Sequence, residues 1–220
     1  ILWVLLGARI MSLSVRILES DNEIERRILR AAALDINKKI QKNTVKAKML
    51  LRRLIPTWIR VQPEVTSLLA EGDPMSLNAQ FGLVSGQGIR VLDDIVEAVI
   101  QATNFKILKV DNKLRGGLLI EIQPEDFNNV VSSASSIVNY PLARLNFLEW
   151  LLLKGDTTIV VGYEYEPKPG SGRSEGGIMV KGGAWRVPPQ FSGTADNNFI
   201  TRAFIGREKA LEDLLKQIFR

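Results

Sequence analysis

Between Ile24 and Trp58 the apolar residues return at helical spacing, and no other feature of this chain restricts its fold as strongly. Ile24, Ile28, Ala32, Ile36 and Ile40 recur every fourth residue, and the stripe continues through Thr44, Ala47, Leu51, Leu54 and Trp58. Such a period lays one apolar face along a helix. It requires either one very long helix or two helices broken near Asn43 and Thr44. Ser20 and Asp21 ahead of Glu23 provide an N-cap and an acidic first turn. Pro56 is expected to end or kink the helical run, because it lacks an amide proton and its ring crowds the preceding turn.

The helix is also basic. Lys38, Lys42, Lys46 and Arg53 lie off the apolar stripe, with Lys39, Lys48 and Arg52 around them. Residues 1–60 hold 13 Lys and Arg against 5 Asp and Glu, a balance of +8, whereas residues 61–220 hold 16 against 19, a balance of −3. A basic third on a mildly acidic remainder points to a polyanion or an acidic neighbour, or to a simply solvated helix face. No aromatic residues interleave with the lysines to stack bases, and no reader motif is present, so any nucleic-acid contact would be non-specific.

Beyond the helix, turn residues punctuate 62–87, with a short helix expected over 64–70. Residues 89–103 form the next helix, with Ile89, Leu92, Ile95, Val96, Val99 and Ile100 on one face. Its Asp93, Asp94 and Glu97 are read as acidic residues toward the favourable end of the helix dipole. The period then shortens. Residues 105–110 and 117–123 read as two strands joined by a polar connection, a hairpin. Pro124, Glu125 and Asp126 look like a first helical turn leading into 127–132. The apolar segment 141–153 fits a short buried helix, with a buried strand as the alternative. Residues 157–165 form a strand; 178–181 and 184–187 are two candidate strands around Gly182 and Gly183. Asp196, Asn197 and Asn198 cap a C-terminal helix whose stripe is Ile200, Phe204, Leu211, Leu214, Leu215 and Ile218.

The expected fold is therefore α+β: N-terminal amphipathic helices, a small antiparallel sheet of about four strands with packed helices, and a C-terminal helix. Two regions are expected, a basic helical arm over 1–61 and a core domain over 62–220 with a flexible glycine-rich loop at 167–177. Ile1 to Leu6 are apolar, yet a bilayer span takes about 20 residues and a secretory signal needs a basic start. Residues 1–10 read as an upstream extension or a trimmed end, since Met11 opens a polar stretch, and no membrane or export segment is expected.

Chemistry is restricted by what the chain omits. With 220 residues and neither cysteine nor histidine, it has no disulfide, no thiolate or imidazole metal ligand, and no side chain that titrates near neutrality unperturbed. Carboxylate pairs, Asp93 with Asp94 and Glu125 with Asp126, are the remaining candidates for acid–base work or a divalent cation. Neighbours on a helix diverge by about 100°, so neither pair converges by itself. The run Gly170-Ser171-Gly172-Arg173-Ser174 invites a phosphate-loop reading but lacks the Lys-Ser/Thr pair at a helix start. No enzyme, cofactor or metal is expected.

The order of elements resembles that of the neck and tail-completion proteins of tailed bacteriophages. In that family a helical region precedes a small antiparallel sheet, an irregular loop, and a signature of a turn, an aromatic, an arginine with alanine and a last amphipathic helix. Here the signature reads Asn197-Asn198-Phe199-Ile200-Thr201-Arg202-Ala203-Phe204, followed by residues 208–220. Residues 176–194 are similar to phage proteins from marine and fresh water. The resemblance covers about residues 89–220 in pattern, with loose motifs. It departs where such proteins often carry an arginine-rich, proline-containing stretch after the helical arm; Leu77-Asn78-Ala79-Gln80-Phe81-Gly82-Leu83 stands there instead. The station thus stays open among portal adaptor, stopper, tail terminator and another virion part.

The resemblance implies a structural virion protein, assembled in the host cytoplasm into a six- or twelve-fold homo-oligomeric ring. Its neighbours would be the portal, an adaptor, and the tail tube or sheath, and it brings no catalytic residues. Ring subunits need interface residues. Trp185, Phe191 and Phe199 near the polar loop, with Arg202, are the candidates, since aromatics are enriched at interfaces. The alternative, that the three aromatics are ordinary core, stays open. A cytoplasmic, non-specific nucleic-acid-binding protein using residues 38–60 is the second functional reading.

Overall fold

A computed structural model describes residues 19–122, 127–140 and 143–219. The apolar stripe folds as one helix of 40 residues, α1 (Asp21–Arg60), with no break at Asn43 or Thr44. Ser20 and Glu23 close a reciprocal capping box at its start. Pro56 neither ends the helix nor stands at its edge: α1 continues to Arg60. Burial of Ile55, Trp58 and Ile59 around the proline holds this last turn against an intrinsic cost of about 3 kcal/mol. The helix is only partly an arm. Among the described residues none before Ala33 is buried, but from Ala47 onward the inner face of α1 joins the main core.

The helices α2 (Pro63–Leu69), α3 (Leu77–Gln80) and α4 (Gln87–Ala102) follow. The acidic residues of α4 do not occupy its first turn, which holds none. The strands β1 (Asn104–Leu108) and β2 (Gly117–Glu121) form the first hairpin. Asp111 organises its connection by accepting from the amides of Lys113 and Arg115 at 2.8 and 3.0 Å and from the Arg115 guanidinium. Those bonds hold the Asp111 carboxyl down to about 2.

A short α5 (Asn128–Val131) and a 3-10 turn (Ala134–Ser136) lead to β3 (Ile137–Asn139) and β4 (Arg144–Asn146). The apolar segment read as a helix or a strand supplies both: β4, then α6 (Leu148–Leu152). Next come β5 (Thr158–Pro167) and β6 (Gly177–Arg186). The two strands expected around Gly182 and Gly183 are one: the glycines, both at positive φ, form a bulge opposite Gly162 where the register shifts, and the pairing with β5 resumes on either side. The expected C-terminal helix is instead two, α7 (Phe199–Phe204) and α8 (Glu208–Phe219), separated by Gly206 at φ 73°.

The class α+β holds, but the single four-stranded sheet does not. Among the described residues there are three separate two-stranded antiparallel sheets, β1 with β2, β3 with β4 and β5 with β6. Each strand pairs with the next in sequence, and helical segments between the hairpins keep them apart. The core that joins them is helical and aromatic. α1 packs on α4, α7 and α8, and Phe81, Phe127, Phe147 and Phe199 are fully buried beneath. Phe81 stacks on Phe147 at 4.6 Å between ring centroids.

Candidate functional site

The basic residues of α1 stand where their spacing implies. Lys38, Lys42, Lys46 and Arg53 are all exposed, and none has an ion-pair partner among the described residues. At about 100° per residue they fall within one quadrant of the helix, on the side away from Ile40, Ala47 and Leu51. The row runs from Lys38 to Arg53, about 22 Å at helical rise. Leu34, Val45 and Met49 lie exposed on the same side, so the surface mixes cations with apolar contacts. Nearby, Lys48 and Arg52 flank a cleft of about 250 Å³ closed by Gln101, Asn104 and Phe105. Lys48 Nζ lies 5.4 Å from the centre of the Phe105 ring.

The late signature does a different job. Asn198 is fully buried and caps α7, its Oδ1 accepting from the amides of Ile200 and Thr201 at 3.0 and 3.1 Å. Its Nδ2 donates to the Thr194 carbonyl at 2.9 Å. Gly193, just before, approaches α6 so closely that a Cβ there would lie 2.0 Å from the Leu151 carbonyl oxygen. Arg202 pairs with Glu64 of α2 and also donates to Asn197 Oδ1 at 2.8 Å. Glu64 is fully buried, and its Oε2 has no hydrogen-bond partner among the described residues. Burial pushes the Glu64 carboxyl above its ordinary range, against the opposing pull of Arg202. Sequence reasoning passed over Glu64, whose position in the first turn of a short helix looks solvent-facing.

The aromatic interface candidates divide. Trp185 is 5% exposed and Phe199 0%, so within this chain both belong to the core, the alternative left open for them. Trp185 meets Phe81 edge to face at 5.9 Å, and Phe199 opens α7 on its inward side. Phe191 is half-buried against the same core. Of the four candidates, then, Phe191 and Arg202 retain some surface within this chain.

The glycine-rich loop is tied to its own chain. Arg173 donates to the Asn139 carbonyl at 3.0 Å and Ser174 to the Ala79 carbonyl at 3.1 Å. The amides of Gly170, Ser171, Glu175 and Gly177 all bond to carbonyls within the loop, so they do not point at a common anion. The Asp93 and Asp94 carboxylates separate as expected. Asp94 accepts from Ser133 at 2.6 Å and Ser135 at 2.5 Å, while Asp93 faces solvent. Glu125 and Asp126 lie outside the described residues, as do residues 1–10. Among the described residues no cluster of acidic side chains could hold a metal ion, and no helix is long and apolar enough to cross a membrane.

What these parts compose is an α+β protein whose most prominent charged feature is an exposed basic row on a long helix. No protein-family model, curated protein or solved structure matches the chain.

Proposed function

We propose that this chain is a structural subunit of the neck of a tailed phage, acting in a ring at the head–tail junction as connector, stopper or tail terminator. The observation that carries the reading is the turn from Asn198 to Phe204. It has the aromatic–arginine–alanine order of the resembling family and bonds the C-terminal helices to the body through Arg202 and Glu64. The reading asks for binding surfaces alone, with homo-oligomeric contacts and with portal, adaptor, tail tube or sheath as neighbours. In a ring, the row of Lys38, Lys42, Lys46 and Arg53 would meet passing DNA or an acidic neighbour through charge, without sequence readout. The chain would assemble in the host cytoplasm and remain in the virion. Mass analysis of purified particles tests this: the chain should be present at a copy number that is a multiple of the ring order, and its absence from particles overturns the proposal.

A second reading has its own observation. Four exposed cations along one helix side, without ion-pair partners among the described residues, suit a non-specific nucleic-acid-binding protein. A salt-dependent mobility shift on duplex DNA, from a chain absent from any particle, would favour it over the first.

A further inference from the structure

The β5–β6 ribbon is fastened to the body at both ends and stands away from it between them. At one end Trp185 and Val187 are buried in the core. At the other, Tyr165 donates to the Pro74 carbonyl at 2.8 Å and the loop beyond bonds to α3 through Ser174. Between these anchors Val160, Val161, Gly162, Tyr163 and Glu164 on β5, and Lys181, Gly182, Gly183 and Ala184 on β6, are all exposed, Val161 at 81%. Among the described residues each strand pairs only with the other. Along its outer edge each therefore presents a row of main-chain donors and acceptors without a protein partner, a template for another strand. Exposed Val160, Val161 and Tyr163 add apolar contact that a solitary ribbon would leave in water.

The charges say which strand. The charged side chains of β5 are Glu164 and Glu166, both acidic; those of β6 are Lys181 and Arg186, both basic. Internal compensation is slight, since among the described residues the one ion pair they make is Arg186 with Asp156 at 3.8 Å. A two-fold dimer would lay β5 against β5, or β6 against β6, and set like charges side by side, which destabilises a sheet. Setting β5 of one copy beside β6 of the next brings opposite charges together and preserves antiparallel alternation.

We propose that this ribbon is a self-association surface through which a second copy adds head to tail, β5 beside β6, extending one antiparallel sheet from copy to copy. Such a contact is heterologous, so repetition closes into a ring or continues as a filament. This deepens the ring part of the proposed function while standing on the ribbon alone.

The test is the assembly state of the purified full chain, read by sedimentation and native mass measurement over a range of concentrations. Wild type should associate. Glu164→Lys with Glu166→Lys, or separately Lys181→Glu with Arg186→Glu, should weaken association by about tenfold or more. Mixing the two variants, or placing all four changes in one chain, should restore it, which no unfolded variant could do. A wild type that stays monomeric at its highest soluble concentration overturns the proposal, as does an oligomer indifferent to both variants. Particle composition is a separate readout. Charge-governed assembly by a chain absent from virions would retire the neck reading alone, and a virion protein whose oligomer ignores the swaps would retire this one alone.

Discussion

Asn37 clasps the main chain of Val110, 73 residues away: its Nδ2 donates to the Val110 carbonyl at 3.0 Å, and the Val110 amide donates to its Oδ1 at 2.9 Å. The pair copies the exchange between two strands, with a side-chain amide standing in for one of them. It pins the first hairpin to the outer half of α1, where Ala33, Ile40 and Val110 make a small core of their own. Asn37→Ala would leave both polar groups of Val110 without partners, at about 1–3 kcal/mol for each buried group. Urea unfolding should show the loss as a lower midpoint. A variant within about 0.5 kcal/mol of wild type would mean that water replaces the clasp fully.

Removing Arg202 should cost more than removing the charge it answers. Arg202→Ala strands a buried carboxylate, a change worth about 3–5 kcal/mol, whereas Glu64→Gln keeps a hydrogen-bonding group without a charge. The pH dependence follows from burial. With its folded pKa above the unfolded one, Glu64 favours folding most below the unfolded pKa of about 4.5, and that contribution is lost as pH rises through the folded value. The stability of wild type relative to Glu64→Gln should therefore fall as pH rises above about 4.5 and then level off. A difference that grows with pH would contradict the direction.

Tyr140 predicts an alkaline limit. Its hydroxyl donates to the Phe81 carbonyl at 2.9 Å, and burial pushes it up to about 12. An unfolded tyrosine ionises near 10, so between those values the unfolded chain releases a proton that the folded one retains. Folding stability should fall over that interval, and Tyr140→Phe should fall less steeply. At neutral pH the same variant should cost about 0.5–1.5 kcal/mol for the lost bond. Thermal melts at neutral and alkaline pH separate the two effects.

Substituting Lys38, Lys42, Lys46 and Arg53 by Ala should leave stability nearly unchanged, since all four are exposed on one helix side. If the row contacts nucleic acid, the salt dependence of binding should lose about one unit of slope for each phosphate contact removed. Filter binding across a salt series measures it. A slope unaltered by all four changes would assign the row to a solvated face.

Much of the scaffold could be read before folding. The N-cap at Ser20, the stripe of α1, the helix over α4, the hairpin around Asp111 and the Asn198 cap each rest on residues a few positions apart. So does the exposure of the basic row, which follows from where the stripe lies. The helix does not end at Pro56, because burial on either side of the proline outweighs its local cost.

Local spacing decides helices, turns and caps because the groups that satisfy one another lie within a turn or two along the chain. It has no access to what a residue meets after the chain returns. That Trp185 and Phe199 face inward, that three hairpins stay apart rather than merging, and that Arg202 finds Glu64 across 138 residues were decided by tertiary packing alone. An aromatic or a charge carries no mark of its partner in sequence; burial assigns one, by removing the water that would otherwise have served.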